Sequence, residues 1–220
     1  MLSYESITLF INLALSVVVV SICFWLAWKW RQRKFLVLIF PAIGITYAIS
    51  NVLRFYWSVS LDSIVYLLYS AFFAAWIIFY SYATLRLVHP TEKRPANWGL
   101  LMYLSVPFMM FVTKDLVLAS LQIFLISSLV LFTSSLFFFS HCKRGVKKYA
   151  VAGIFAGLVG LSYVPVLLIG VVALDPKTTY TVYMIFNLSV AYLFFGLFQT
   201  SLKKPKEFLC DYDHKKDRKK

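Results

Sequence analysis

Charge is scarce in this chain, and from the middles of its long apolar stretches it is missing altogether. Only 14% of the 220 residues are Asp, Glu, Lys or Arg, against roughly 25% in soluble domains, and no Asp, Glu, Lys, Arg or His stands near the middle of any apolar stretch. Such groups inside a bilayer mark proton relays, ion sites and catalysis, so their absence weighs against a proton pump, an ion-coupled carrier and an intramembrane hydrolase. Histidine is equally sparse. His89, His141 and His214 lie at the edges of the apolar stretches or beyond them, where they cannot assemble a haem pair or a zinc triad. The three cysteines, Cys23, Cys142 and Cys210, fall in one stretch, at an edge and in the tail, so neither a disulfide nor a cysteine metal site is expected. No acid/base or nucleophile pair is visible, so no enzyme and no cofactor is expected.

What the chain has in abundance is apolar surface. Hydrophobic residues make up 61% of it, and the mean hydropathy is +0.78, more than a water-soluble core absorbs. The formal charge of +13 suggests nucleic acid at first sight. The basic residues, however, sit in short clusters between apolar stretches rather than along one face of a soluble fold, and no nucleic-acid partner is expected.

The run His141-Cys-Lys-Arg-Gly-Val-Lys-Lys148 reads as a basic loop that fixes the orientation of everything else. It separates two stretches that each exceed the roughly 20 apolar residues needed to cross a ~30 Å hydrocarbon core, and clustered Lys/Arg mark the cytoplasmic side. Seven spans follow from the same logic, at about 7–28, 35–57, 62–86, 97–113, 116–140, 149–173 and 179–202. The fourth is short and contains Pro107. Charge follows rather than precedes the first span, the reverse of a cleavable signal peptide. With the N-terminus outside, cytoplasmic segments hold nineteen Lys/Arg and external ones only Arg54, Lys114 and Lys177. The expectation is an all-α, polytopic bundle of seven transmembrane helices in the cell membrane. Residues 203–220 form a basic cytoplasmic tail, expected to be disordered.

Side chains that could form a site gather toward the outer leaflet. Tyr66, Tyr69, Phe73, Trp76 and Tyr80 recur at three- and four-residue steps along one face of the third helix. Tyr47, Asn51 and Arg54 share a face of the second, Tyr180, Tyr183 and Asn187 a face of the seventh, and Ser162 with Tyr163 lie in the outer half of the sixth. Polar groups in lipid turn toward partners inside the bundle, so Tyr47, Asn51, Tyr66, Tyr69, Trp76, Tyr163, Tyr183 and Asn187 are candidates for an outward-opening, ligand-binding vestibule. The alternative is a set of interhelical hydrogen bonds with no cavity. Gly153 and Gly157 stand at GxxxG spacing with Gly160 beyond, and Pro165 follows; the group serves either close packing or a hinge. Ser127, Ser128, Thr133, Ser134 and Ser135 are expected to bond back to their own helix.

Several families share seven helices with an outer N-terminus, but their marks are missing. The segment Tyr180 to Gln199 lacks the lysine of microbial rhodopsins. Thr84-Leu85-Arg86-Leu87 and Asn187-Leu188-Ser189 match neither signature of G-protein-coupled receptors, and Pro41 and Pro165 are out of register for sugar carriers of the three-plus-one-plus-three type. With its basic Lys29-Trp-Arg-Gln-Arg-Lys34 loop, the aromatic turn around Trp57 and an aromatic third helix ending in Tyr80-Ser-Tyr82, the chain resembles the seven-helix membrane sensor region at the N-terminus of some prokaryotic histidine kinases. That resemblance implies a receptor or sensor working through a partner, since no kinase domain is read in these residues. Two alternatives stand beside it: a small-solute transporter that alternates access around the sixth-helix Gly/Pro segment, and an accessory subunit that docks its glycine ridge into a membrane complex. The partners expected are the lipid bilayer and a membrane or cytoplasmic protein.

Overall fold

A computed structural model of the protein describes residues 4–31, 34–60, 62–88, 98–141, 144–170 and 176–202. The expected disorder of the tail and the loop at 89–97 lie outside these residues. The described chain is all helical: α1 (Tyr4–Lys29), α2 (Lys34–Ser60), α3 (Ser63–Val88), α4 (Ser105–Thr113), α5 (Leu116–His141), α6 (Arg144–Gly170) and α7 (Pro176–Leu202), with a 3-10 segment, Trp98–Leu104, leading into α4. Five of the helices are long and apolar enough to cross a membrane.

Local chemistry explains where these helices stop. Lys114 takes a left-handed conformation (φ 54°) and returns its N–H to the Met110 carbonyl, closing α4. The next residue, Asp115, accepts hydrogen bonds from the Val117 and Leu118 amides at 2.8 and 3.2 Å and so caps α5. Asp62 does the same for α3 through the Ile64 amide. The basic run at 141–148 differs from the loop expected there. α5 extends to His141 and α6 already begins at Arg144, so most of those residues are helical. Basic side chains read as loop in a sequence because they end an apolar run, yet nothing in their chemistry ends a helix.

The short fourth span is lengthened by its 3-10 segment. Seven residues rising about 2.0 Å each, followed by nine rising about 1.5 Å, reach about 27 Å, where an all-α segment of equal length reaches about 24 Å.

Six helices close a ring in the order α1, α2, α3, α5, α6, α7 and back to α1, while α4 stands outside and packs on α5. Neighbours joined by one connection run antiparallel: in α5 and α6, Ser128 opposes Gly160 and Ser135 opposes Gly153. The two seams without such a connection run parallel. Along α1 and α7 the contacts step from Tyr4–Thr181 through Asn12–Asn187 to Trp25–Phe198. Along α3 and α5 they step from Phe73–Phe124 to Tyr80–Ser135.

The bundle keeps an apolar core but exposes large apolar side chains as well, and buries polar ones among the core. Phe10, Leu38 and Phe111 are among its most exposed side chains, while Asn12, Ser50, Asn51, Ser81, Thr84, Ser127, Ser135 and Asn187 are buried. A surface of this kind suits hydrocarbon, and interior amides and hydroxyls must then satisfy one another.

Candidate functional site

The polar residues of α2 and α7 meet, and α1 joins them. Tyr47 and Asn51 are four residues apart, as are Tyr183 and Asn187, so each pair lies on one helix face. The Tyr47 hydroxyl donates to Asn187 Oδ1 at 2.6 Å. Asn187 Nδ2 donates to Asn12 Oδ1 at 2.9 Å and to Asn51 Oδ1 at 3.2 Å. Asn51 Oδ1 also accepts the Tyr183 hydroxyl at 2.8 Å, and Asn51 Nδ2 donates to the Tyr47 carbonyl. Asn187 is thereby the hub of three helices, and every member of the cluster is buried. Two further donors, Asn12 Nδ2 and Trp76 Nε1, are buried with no hydrogen-bond partner among the described residues.

Sequence reasoning missed Asn12, although a signal was there. Thr8, Asn12 and Ser16 recur at four-residue steps through the mostly apolar first half of α1, and all three are buried. A polar stripe along one face of a mostly apolar helix points toward partners inside a bundle.

One to two turns from this cluster, at the end of the bundle where α2 finishes and α3 begins, lies a small cavity walled by Arg54, Trp57, Tyr66, Tyr69, Tyr183 and Phe186. About 20 Å³ of it is open to the centre of a water-sized sphere, enough for roughly one water molecule. The Arg54 guanidinium lies 4.6 Å from the centre of the Trp57 ring and 5.4 Å from that of Tyr183, both within cation–π range. Trp57 also stacks on Tyr66 at 4.6 Å.

The eight vestibule candidates therefore separate. Tyr66, Tyr69 and Tyr183 line the cavity, whereas Tyr47, Asn51 and Asn187 lie deeper and bond to one another. Trp76 is buried among the rings of Tyr47, Phe73 and Phe186. Tyr163 belongs to α6, but its side chain is outside the described residues. The wall is aromatic and cationic rather than amide-lined, because the amides are more fully satisfied by each other than by a water-filled space. Tyr183 alone among the candidates takes part in both, with its ring in the wall and its hydroxyl on Asn51.

The glycine ridge faces inward. A Cβ on Gly157 would come within 2.7 Å of the Phe132 backbone, and on Gly153 and Gly160 it would strike Ser135 and Ser128. α5 packs directly on these three glycines. α6 continues without a break through Pro165 to Gly170; the proline's side chain is outside the described residues.

The hydroxyls of α5 divide. Ser127 and Thr133 bond back to the Ile123 and Leu129 carbonyls as expected. Ser134 instead donates to Ser81 at 2.7 Å, and Ser135 bonds the Tyr80 hydroxyl at 3.1 Å, so these two tie α5 to α3. Ser127 also accepts the Tyr103 hydroxyl. No cluster of three metal-ligating His, Cys, Asp or Glu side chains occurs among the described residues.

No protein-family model, curated protein or solved structure matches the chain. Its chemistry must be read from its own side chains.

Proposed function

We propose that the chain is a multi-pass cell-membrane sensor, N-terminus outside and C-terminus in the cytoplasm, that detects a small solute at the cavity beside Arg54 and signals through a cytoplasmic partner. The distribution of Lys and Arg supports the orientation, and the apolar surface of the bundle supports its residence in lipid.

The observation that carries the sensing role is the double duty of Tyr183. The cavity has room for about one water molecule, so a larger solute enters only by displacing a wall. Displacing Tyr183 pulls its hydroxyl from Asn51, and Asn51 shares the Asn187 hub with α1. Occupancy is thereby converted into a changed α1–α2–α7 contact, the differential interaction that a ligand-driven shift requires. A carrier needs a route onward from the cavity, and the bonded amide cluster stands where that route would run.

The test is thermal unfolding of the purified protein in lipid nanodiscs against a panel of amino acids, monosaccharides and short carboxylates. A sensed solute at a hundred times its Kd stabilises the wild type by about 2.7 kcal/mol. Val182 also lines the cavity, and Val182→Trp, which fills it, abolishes that shift. A panel with no effect, or an equal shift in the variant, removes the site. Solute counterflow in proteoliposomes would replace sensing by transport.

A further inference from the structure

On the outer face of the α6–α7 pair a second space opens, a groove of about 390 Å³ bordered by Lys148, Ala152, Phe155, Leu188, Ser189 and Tyr192. Small side chains make its floor. Ala152 and Ser189 leave a gap between the rings of Phe155 and Tyr192, both about half exposed. Ser189 turns its hydroxyl back to the Ile185 carbonyl at 2.8 Å, so the floor offers apolar contact rather than a hydrogen bond. From Lys148 to Phe155 the groove climbs seven residues, about 10 Å along the helix, which is about two thirds of one leaflet of a ~30 Å core.

Charge collects at one end of it only. Lys148 forms that end, with its ammonium 4.7 Å from the centre of the Tyr149 ring, and no acidic side chain borders the groove among the described residues. Lys148 also lies in the first two turns of α6, which contain Arg144, Lys147 and Lys148 and no acidic residue. Cations at a helix N-terminus oppose the macrodipole, whose positive end attracts anions. An apolar channel headed by such a cluster has the shape and charge of an amphiphile with an anionic head.

We infer that the α6–α7 groove binds one anionic glycerophospholipid of the cytoplasmic leaflet, with an acyl chain along Ala152, Phe155, Leu188 and Ser189 and the phosphate at Lys148. This rests on the orientation proposed above. Basic clusters between membrane helices on the cytoplasmic side recognise anionic headgroups in this way. The ligand differs from the solute of the Arg54 cavity and meets the opposite end of the bundle.

Native mass spectrometry of the purified protein, titrated with phosphatidylglycerol and with phosphatidylcholine of the same acyl chains, tests it. The first phosphatidylglycerol should bind about fivefold more tightly than phosphatidylcholine, the preference conferred by one interfacial lysine. Lys148→Gln should remove the preference and Lys148→Arg keep it. Ser189→Trp, which fills the floor from an outward-facing position, should lose the first site for both lipids. Equal preference in wild type and Lys148→Gln, retention in Ser189→Trp, or a lipid-free dimer with this face covered would overturn the inference. Flotation with vesicles separates the two readings: a chain that fails to float refutes the membrane assignment, whereas one that floats without selectivity refutes the groove alone.

Discussion

The two parallel seams of the ring are closed by different chemistry. Between the Tyr4–Thr181 hydroxyl pair and the Trp25–Phe198 rings, α1 and α7 meet through amides, with Asn187 bonded to Asn12 and, across to α2, to Asn51 and Tyr47. α3 and α5 meet through hydroxyls and rings, with Ser134 on Ser81, Ser135 on Tyr80, and Phe73 stacked on Phe124 at 4.4 Å. Both seams join helices that no single turn connects. Antiparallel neighbours are held close by their connection, while seam partners pay a larger closure entropy and need direct contacts. An amide carries both donors and acceptors and can serve several partners, so the α1–α7 seam is a branched network. A hydroxyl serves fewer, so the α3–α5 seam is a row of independent pairs.

Substitutions can break this contrast, and the greatest effect should come from outside both seams. Gly157→Leu drives a side chain into the Phe132 backbone, where no rotamer change gives relief. It is expected to cost more than about 3 kcal/mol and to yield little folded protein on detergent extraction. Next comes Asn187→Leu. It deletes three hydrogen bonds at an average of about 0.6 kcal/mol each in membrane bundles and leaves buried partners unpaired, for about 2–3 kcal/mol in total, read by reversible unfolding in mixed micelles. Ser134→Ala removes one hydroxyl pair and should cost only about 0.6 kcal/mol. Combined with Tyr80→Phe it should add, whereas Asn187→Leu combined with Asn51→Leu should cost far less than their sum, because a shared network is lost once. Additive losses at both seams would erase the distinction. The smallest effect belongs to Tyr4→Phe, whose bond to Thr181 is solvent-exposed, with a loss under about 0.5 kcal/mol in the same assay.

Much of this was legible in the sequence, and the rest was hidden for definite reasons. Helix ends fall within a few residues of the charge clusters that bracket the apolar stretches, because hydropathy and charge both act at those points. The 3-10 segment Trp98–Leu104 was hidden because its residues are as apolar as any α-helical span. The early start of α6 at Arg144 was hidden because lysine and arginine favour helix as well as water. At the site, the faces of Tyr47–Asn51 and Tyr183–Asn187 could be read from spacing, and mutual hydrogen bonding stood as the alternative to a vestibule; which atoms pair, and that Asn12 joins them, could not be read. Nothing local in Ser134 or Ser135 distinguishes them from Ser127, which bonds to its own helix. Which serine finds a partner across a seam depends on the rotation of two helices, and a single sequence does not encode that rotation in any one residue.

The seventh helix count has a consequence for how such a chain could be built. α4 contributes almost nothing to the circumference, touching α5 from outside, yet it reverses the direction in which the second triplet starts. Because of that one detached helix, α5, α6 and α7 repeat the up-and-down sense of α1, α2 and α3 instead of mirroring it. Remove residues 98–113, and α5 would have to return antiparallel to α3, so that the contacts stepping from Phe73–Phe124 to Tyr80–Ser135 could not form.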